Sequence, residues 1–227
     1  MIISHTQKFI FIKTRKTAGT SLQEALDRIC GPDDITTPTG ISDESYRPRN
    51  YKGLVNPIPY LLATPRQHRK RRILRRTLTG ERIFDHMHLG ELMALPEARK
   101  WSGYFKFCLE RNPWDKTVSR YFWKYRGRTS RPDFDAFIAN DKHVSDFDAY
   151  SLDGNIGVDY VGNYGDLANS IAHISQTIGC DIPLPLHRNA NTRQKRDYKQ
   201  MYTAETREMV GEIYAREIAA FGYSFDA

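Results

Sequence analysis

The stretch that decides the fold is Lys13–Ser21, KTRKTAGTS. The apolar run Phe9-Ile10-Phe11-Ile12 leads into it, and Ser21-Leu22-Gln23-Glu24-Ala25-Leu26 leads out. Four β-favouring residues with no polar alternation predict a strand buried on both faces. Leu22, Ala25, Leu26 and Ile29 recur at helical spacing. The unit is therefore strand, tight loop, helix. Such a loop gathers backbone N–H groups and a helix N-terminus at one point, which favours a bound phosphate or sulfate. Gly19 lets the backbone approach a ligand closely, Thr20 and Ser21 add hydroxyls, and Lys16 adds charge. The stretch is not the ATPase P-loop, in which Lys follows the last Gly of G-x-x-x-x-G-K-[ST]. Here Lys16 precedes Gly19, and no glycine stands before it. A plain strand–helix turn with a surface lysine is the other reading of these residues.

Outward from this loop, Tyr104-Phe105-Lys106-Phe107-Cys108-Leu109 reads as a second buried strand, ending at Glu110-Arg111-Asn112-Pro113. Pro113 with Asn112 as N-cap starts a helix carrying Val118, Tyr121, Phe122 and Tyr125. Arg111 stands at the strand's C-terminal end, where open α/β sheets bind ligands. Ser119 lies about two helical turns further on, on a face that looks back toward that end. Val158–Gly162 reads as a strand and 166–178 as a helix. Residues 81–95 read as a short strand (Ile83-Phe84), a turn and a helix, with Asp85-His86-Met87-His88 between them. Two histidines at i, i+2 could be ligands, a general base or neither, and no third metal ligand is near in sequence. Residues 133–138 read as a helix and 142–157 as a loop. Thr203 caps a final helix over Ala204–Ala220.

The chain of 227 residues suffices for one sizeable domain with a real core. Three cysteines, Cys30, Cys108 and Cys180, form neither a disulfide framework nor a zinc pattern, so a reduced, intracellular protein is expected. The start, MIISHTQKF, lacks a signal peptide's pattern, and no apolar run approaches the length of a membrane span. There are 34 Lys and Arg against 27 Asp and Glu. That excess of seven equals the seven cations of one tract: Arg66, Arg69, Lys70, Arg71, Arg72, Arg75 and Arg76. The tract closes a Pro- and Gly-punctuated segment, 31–80, expected to be an extended or mobile insertion outside the core, with its basic tail able to form a short helix. An anionic polymer, an anionic membrane surface or nucleic acid would suit the tract, without specificity for any of them.

Three stretches together resemble the PAPS-dependent sulfotransferase superfamily, closest to its carbohydrate 2-O-sulfotransferase-like group (sulfotransferase family 2) and bacterial relatives. FIFIKTRKTAGTSL is similar to that group's 5′-phosphosulfate loop, commonly PKTGGTSL, with Arg15 and Ala18 in place of Pro and Gly. YFKFCLERNPWDKTVSRYFW is similar to its 3′-phosphate motif. The run from DYVGNYGDL through YTAETREMVGEIYAREIAAFGY is similar to its closing strand and helix. The likeness covers about 7–30, 81–126 and 156–225, and not 37–80.

The resemblance implies a three-layer α/β, P-loop-like fold with a central, mainly parallel sheet flanked by helices, in a single domain. It implies transfer of a sulfuryl group from PAPS to an acceptor hydroxyl, on a glycan or glycolipid, leaving adenosine 3′,5′-bisphosphate and needing no metal. Arg15, Lys16, Thr17, Ala18, Gly19, Thr20 and Ser21 match the 5′ site; Arg111 and Ser119 match the 3′ site. Arg193 and Lys195 fall in a basic loop that would close over the nucleotide. Lys16 would neutralise the leaving phosphate. His86 is the best positional match for the general base, with His88 able to share or replace that role. A cytoplasmic location is expected, with a peripheral place at a membrane surface left open, and no specific nucleic acid. Two rival readings are a P-loop kinase using ATP and Mg²⁺, and a non-enzymatic binder of anionic polymer or nucleic acid.

Overall fold

Five strands form one mixed sheet: β1 (Ile2–Ser4), β2 (Phe9–Phe11), β3 (Ile35–Thr36), β4 (Phe105–Glu110) and, beyond a separate hairpin of β5 (Ser151–Leu152) and β6 (Asn155–Ile156), β7 (Tyr160–Asn163). The computed structural model describes residues 1–39, 46–64, 66–141, 143, 145–183 and 197–226. The spatial order is β3-β1-β2-β4-β7. β2 pairs parallel with β4, and β4 parallel with β7; β1 pairs antiparallel with both β2 and β3. Four strands thus point one way and only β1 is reversed. The expected mainly parallel sheet holds for the centre and gives way to mixed pairing toward one edge. β1 itself escaped the sequence reading: three residues are too few to display a period.

Strand alternation sorts the core into two faces. Phe9, Phe11, Phe107 and Leu109 face α1 (Gly19–Asp27), through Leu22, Ala25 and Leu26, and also a later helix over 167–178, through Ile171, Ile174 and Ile178. Ile10, Ile12 and Cys108 face the other way, into a cluster with Tyr60, Ile73, Phe84, Leu89, Leu92 and Tyr150. All of these but Tyr150, which comes from further along the chain, belong to α2 (Ile58–Leu62), α3 (Gln67–Leu78), α4 (Leu89–Met93) and what lies between them. A third cluster joins α5 (Pro113–Lys124), α6 (Phe134–Asn140) and the C-terminal helices.

Four segments differ from expectation. Within 31–80, several of the described residues join the core: Ile35 lies in β3, Tyr46, Tyr60 and Ile73 are buried, and the basic tail is α3. Pro and Gly punctuation there marks turns between short elements. Ile83-Phe84 is not a strand, although both residues are buried. Within 142–157 stand α7 (Phe147–Tyr150) and the β5–β6 hairpin, too short to read from periodicity. After α8 (Leu167–Ile178), the last helix is two, α9 (Ala204–Ile213) and α10 (Ala215–Phe221). Tyr214 breaks it at φ −111° and ψ 25°, its ring buried beneath the Lys116 ammonium 5.9 Å away.

Candidate active site

The loop after β2 is fastened at both ends. Ile12 N donates to Phe107 O at 2.9 Å. Thr14 gives its hydroxyl hydrogen to Leu109 O and therefore accepts from Thr17 Oγ1 at 2.8 Å. Thr17 is fully buried by this, so of the hydroxyls expected at the site only those of Thr20 and Ser21 are partly exposed. Lys16 and Ala18 adopt left-handed backbone, φ 62° and 59°. They curl the chain into α1, whose first turn presents N–H groups without acceptors inside the helix. Gly19 is required by packing: a Cβ there would meet Lys13 Cγ at 2.9 Å and Thr14 O at 3.3 Å. The reason for the glycine is thus a close approach to its own loop. Lys16 Nζ lies over the Trp123 ring at 5.2 Å.

The second motif arrives at the same point. β4 and β2 are parallel neighbours, so their C-terminal ends coincide. Arg111, 3% exposed, donates from Nη1 to the Lys16 carbonyl at 3.0 Å, across 95 residues of sequence. Asp115 holds the same guanidinium at Nε (2.6 Å), and the Tyr164 ring stacks on it at 4.3 Å. Asn112 caps α5 as expected, accepting from Trp114 N. Ser119 is buried two turns along that helix.

Beneath the loop runs a buried ionic network that sequence reasoning missed. Lys116 Nζ bridges Glu110 (2.6 Å) and Asp146 (3.0 Å). Asp146 accepts from the Arg15 backbone N–H at 2.9 Å and from its guanidinium at 2.5 Å. Tyr150 Oη donates to Glu110 at 3.1 Å. Burial alone would raise the Asp146 pKa, but Lys116 and Arg15 outweigh it and hold the carboxyl ionised, well below its usual range. Burial raises Glu110 despite Lys116. The one legible trace of this network was a lysine, Lys116, on the buried side of an apolar helix. Asp146 lies in the unreadable 142–157 stretch. Arg15 therefore faces a carboxylate, which qualifies its expected role in ligand binding.

The histidine turn sits against the loop's start. His86 has φ 55°, and its Nδ1 lies 2.9 Å from Lys13 O. A carbonyl only accepts, so Nδ1 carries the hydrogen and the neutral ring has its lone pair on Nε2. Nε2 stands 3.4 Å from Asp85 Oδ2, which also pairs with Lys13 Nζ at 3.2 Å. Burial lowers the His86 pKa to about 4, with Lys13 and Arg15 adding to the effect and Asp85 opposing it. His88 instead begins α4, its backbone N–H donating to Glu91 Oε2. Burial, with Arg69 and Arg15 nearby, lowers its pKa to about 2. Of the two, only His86 bonds to the loop.

Two arginines of α3 hold this turn. Arg69 forms a bidentate pair with buried Glu91 and donates to His86 O at 3.1 Å; Arg72 donates to Asp85 O at 2.8 Å. These contacts offset the left-handed strain at His86. Arg193 and Lys195 lie outside the described residues. Among the described residues, no group of three or more His, Cys, Asp or Glu could hold a metal ion.

A strand–loop–helix with a lysine in its curl, clamped by an arginine from the neighbouring strand end, is an arrangement suited to an anion in an α/β fold. The chain belongs to the sulfotransferase family: the sequence model of that family matches residues 1–224, nearly the whole length. Similarity also extends to an uncharacterized protein of Archaeoglobus fulgidus, 31% identical over 107 residues, covering 44% of this chain and 88% of that protein. No solved structure matches. Proteins of the family generally use PAPS and act on a hydroxyl-bearing acceptor.

Proposed function

We propose that the protein transfers a sulfuryl group from PAPS to a hydroxyl of a carbohydrate or glycolipid, with His86 as general base. The observation that carries this reading is the Arg111–Lys16 hydrogen bond, which brings the two resembling motifs to one point. The residues present fit an adenosine bisphosphate carrying a phosphosulfate. The α1 N-terminus and Lys16 suit its 5′ anionic end, and Arg111 with Ser119 suits the 3′ phosphate. ATP has no 3′ phosphate to occupy the second position. When bound, PAPS would supply a sulfuryl group already activated by a phosphate leaving group.

The rest falls to side chains of this chain. Lys16 places a fixed positive charge where negative charge grows, a preorganised role. His86 is neutral at neutral pH and offers Nε2 to the acceptor hydroxyl. A proton taken there comes to rest beside Asp85, whose carboxylate stabilises the imidazolium. At His88, burial and the charges of Arg69 and Arg15 outweigh the one carboxylate that favours its charged form, Asp146.

The test is thermal unfolding with adenosine 3′,5′-bisphosphate beside ATP–Mg²⁺. A ligand at 100 times its dissociation constant stabilises by about 2.7 kcal/mol. Stabilisation by the bisphosphate alone is expected. Stabilisation by ATP–Mg²⁺ alone would overturn the reading in favour of a kinase.

A further inference from the structure

α3 has two faces with different occupations. The inner one, Arg69, Arg72, Ile73 and Arg76, is committed to the protein: to Glu91, the Asp85 and His86 carbonyls, the core and Glu81. The outer one is Gln67, Arg71, Leu74, Arg75 and Leu78, all exposed and at i, i+4, i+7, i+8 and i+11, a single stripe. Leu74 is 43% and Leu78 87% exposed. The adjoining α2 continues the theme: Leu54, Ile58 and Leu62, four residues apart, are 104%, 58% and 81% exposed. Of eight large hydrophobics exposed among the described residues, these two helices and their approach supply five. Single exposed leucines are ordinary; this concentration is not.

The charge is equally one-sided. No Asp or Glu occurs from Tyr46 to Gly80. Lys70, Arg71 and Arg75 make no ion pair among the described residues. Three partners could suit cations here, but they differ in what they do with the leucines. An anionic polymer would neutralise the cations and leave Leu74 and Leu78 in water. A second copy would set like charges against each other. A bilayer with anionic headgroups takes both: cations at the phosphates, and leucine and isoleucine side chains in the acyl boundary. No helix among the described residues is long and apolar enough to cross a membrane, so contact through this face would be lateral.

We propose that the outer face of α2 and α3 is a docking surface for an anionic lipid bilayer. The inner-face contacts hold the stripe ready-made, so no folding step accompanies binding. This rests on exposure and charge complementarity, independently of the reading of the reaction.

The test is co-sedimentation of the full chain with vesicles of phosphatidylcholine alone and of an equal mixture with phosphatidylglycerol. Binding to the mixture only is expected. Arg71→Gln with Arg75→Gln should lower partitioning roughly 30-fold, at about one unit of surface attraction per cation. Leu74→Gln with Leu78→Gln should lower it roughly 10-fold or more, at unchanged charge. All four positions are exposed, so unfolding midpoints should match the parent. Absence of sedimentation with the mixed vesicles overturns the proposal. So does full sedimentation of the leucine pair, which would mark a face for polyanions generally. A dimer in the absence of lipid, abolished by the leucine pair, would assign the face to a second copy and overturn it as well.

Discussion

Lys16 takes a left-handed backbone that only Gly, Asn and Asp visit readily, and its carbonyl is gripped by Arg111. The residue thereby serves twice, through its ammonium and through its peptide plane. Lys16→Ala should lower turnover by 10²-fold or more, the order seen when a preorganised charge is removed, while bisphosphate affinity changes less. Steady-state kinetics beside calorimetric titration separates the two. Arg111→Ala should weaken bisphosphate binding, and the double variant should depart from additivity by about 0.5–3 kcal/mol because the residues touch. His86 gives a second test at this scale. Its pKa is lowered to about 4, so the neutral, proton-accepting form is present at all pH values above that. The kcat/KM profile should therefore stay flat on its acid side from pH 7 to pH 5 and fall only toward pH 4. A limb near pH 6.5 would point to a base in a wetter environment.

Among the elements, α3 is the short basic helix the sequence allowed, but it is fastened to a core that the sequence reading placed it outside. The attachment was hidden because the spacing offers almost no apolar period; of the tract's apolar side chains, Ile73 alone reaches the core. What orders it is Arg69 meeting Glu91, a partner 22 residues away that no local pattern discloses. The loop of 13–21 and the start of α5 were legible because their signals are local: a buried run, a glycine at a close approach, an Asn-Pro cap. Asp146 and the β5–β6 hairpin were not, since burial of a lone carboxylate is a property of the assembled site. Arg69→Met keeps length while leaving Glu91 buried and uncompensated. It should cost about 3–5 kcal/mol in urea unfolding, the usual penalty for half of a buried pair. By releasing the His86 carbonyl, it should also lower kcat while leaving bisphosphate affinity near the parent's.

For the molecule as a whole, the site stores its titratable groups in water-poor surroundings, and that sets its response to acid. Burial lowers the pKa of His86, His88 and His143 in the folded state. Between the unfolded value of 6.5 and the folded ones, the unfolded chain binds more protons, so stability is present above pH 6.5 and lost as pH falls. Asp85 and Asp146, held ionised by neighbouring cations against their burial, add losses of the same sign at lower pH. Glu110, raised by burial, opposes them in part. The unfolding midpoint should drop by several degrees from pH 7 to pH 5, before ordinary carboxylates titrate. A midpoint constant over that interval would mean the histidines are hydrated in solution.

The hydrogen bond from Arg111 to the Lys16 carbonyl has one more consequence. In a trans peptide the carbonyl and the next N–H point in opposite directions, so fixing Lys16 O also aims the Thr17 N–H away from Arg111. The loop's shape is therefore partly written in another motif. Transplanting KTRKTAGTS between a strand and a helix of a foreign scaffold would carry over the letters and lose the curl. The two motifs form one structural unit, and a design that alters one has to reckon with the other.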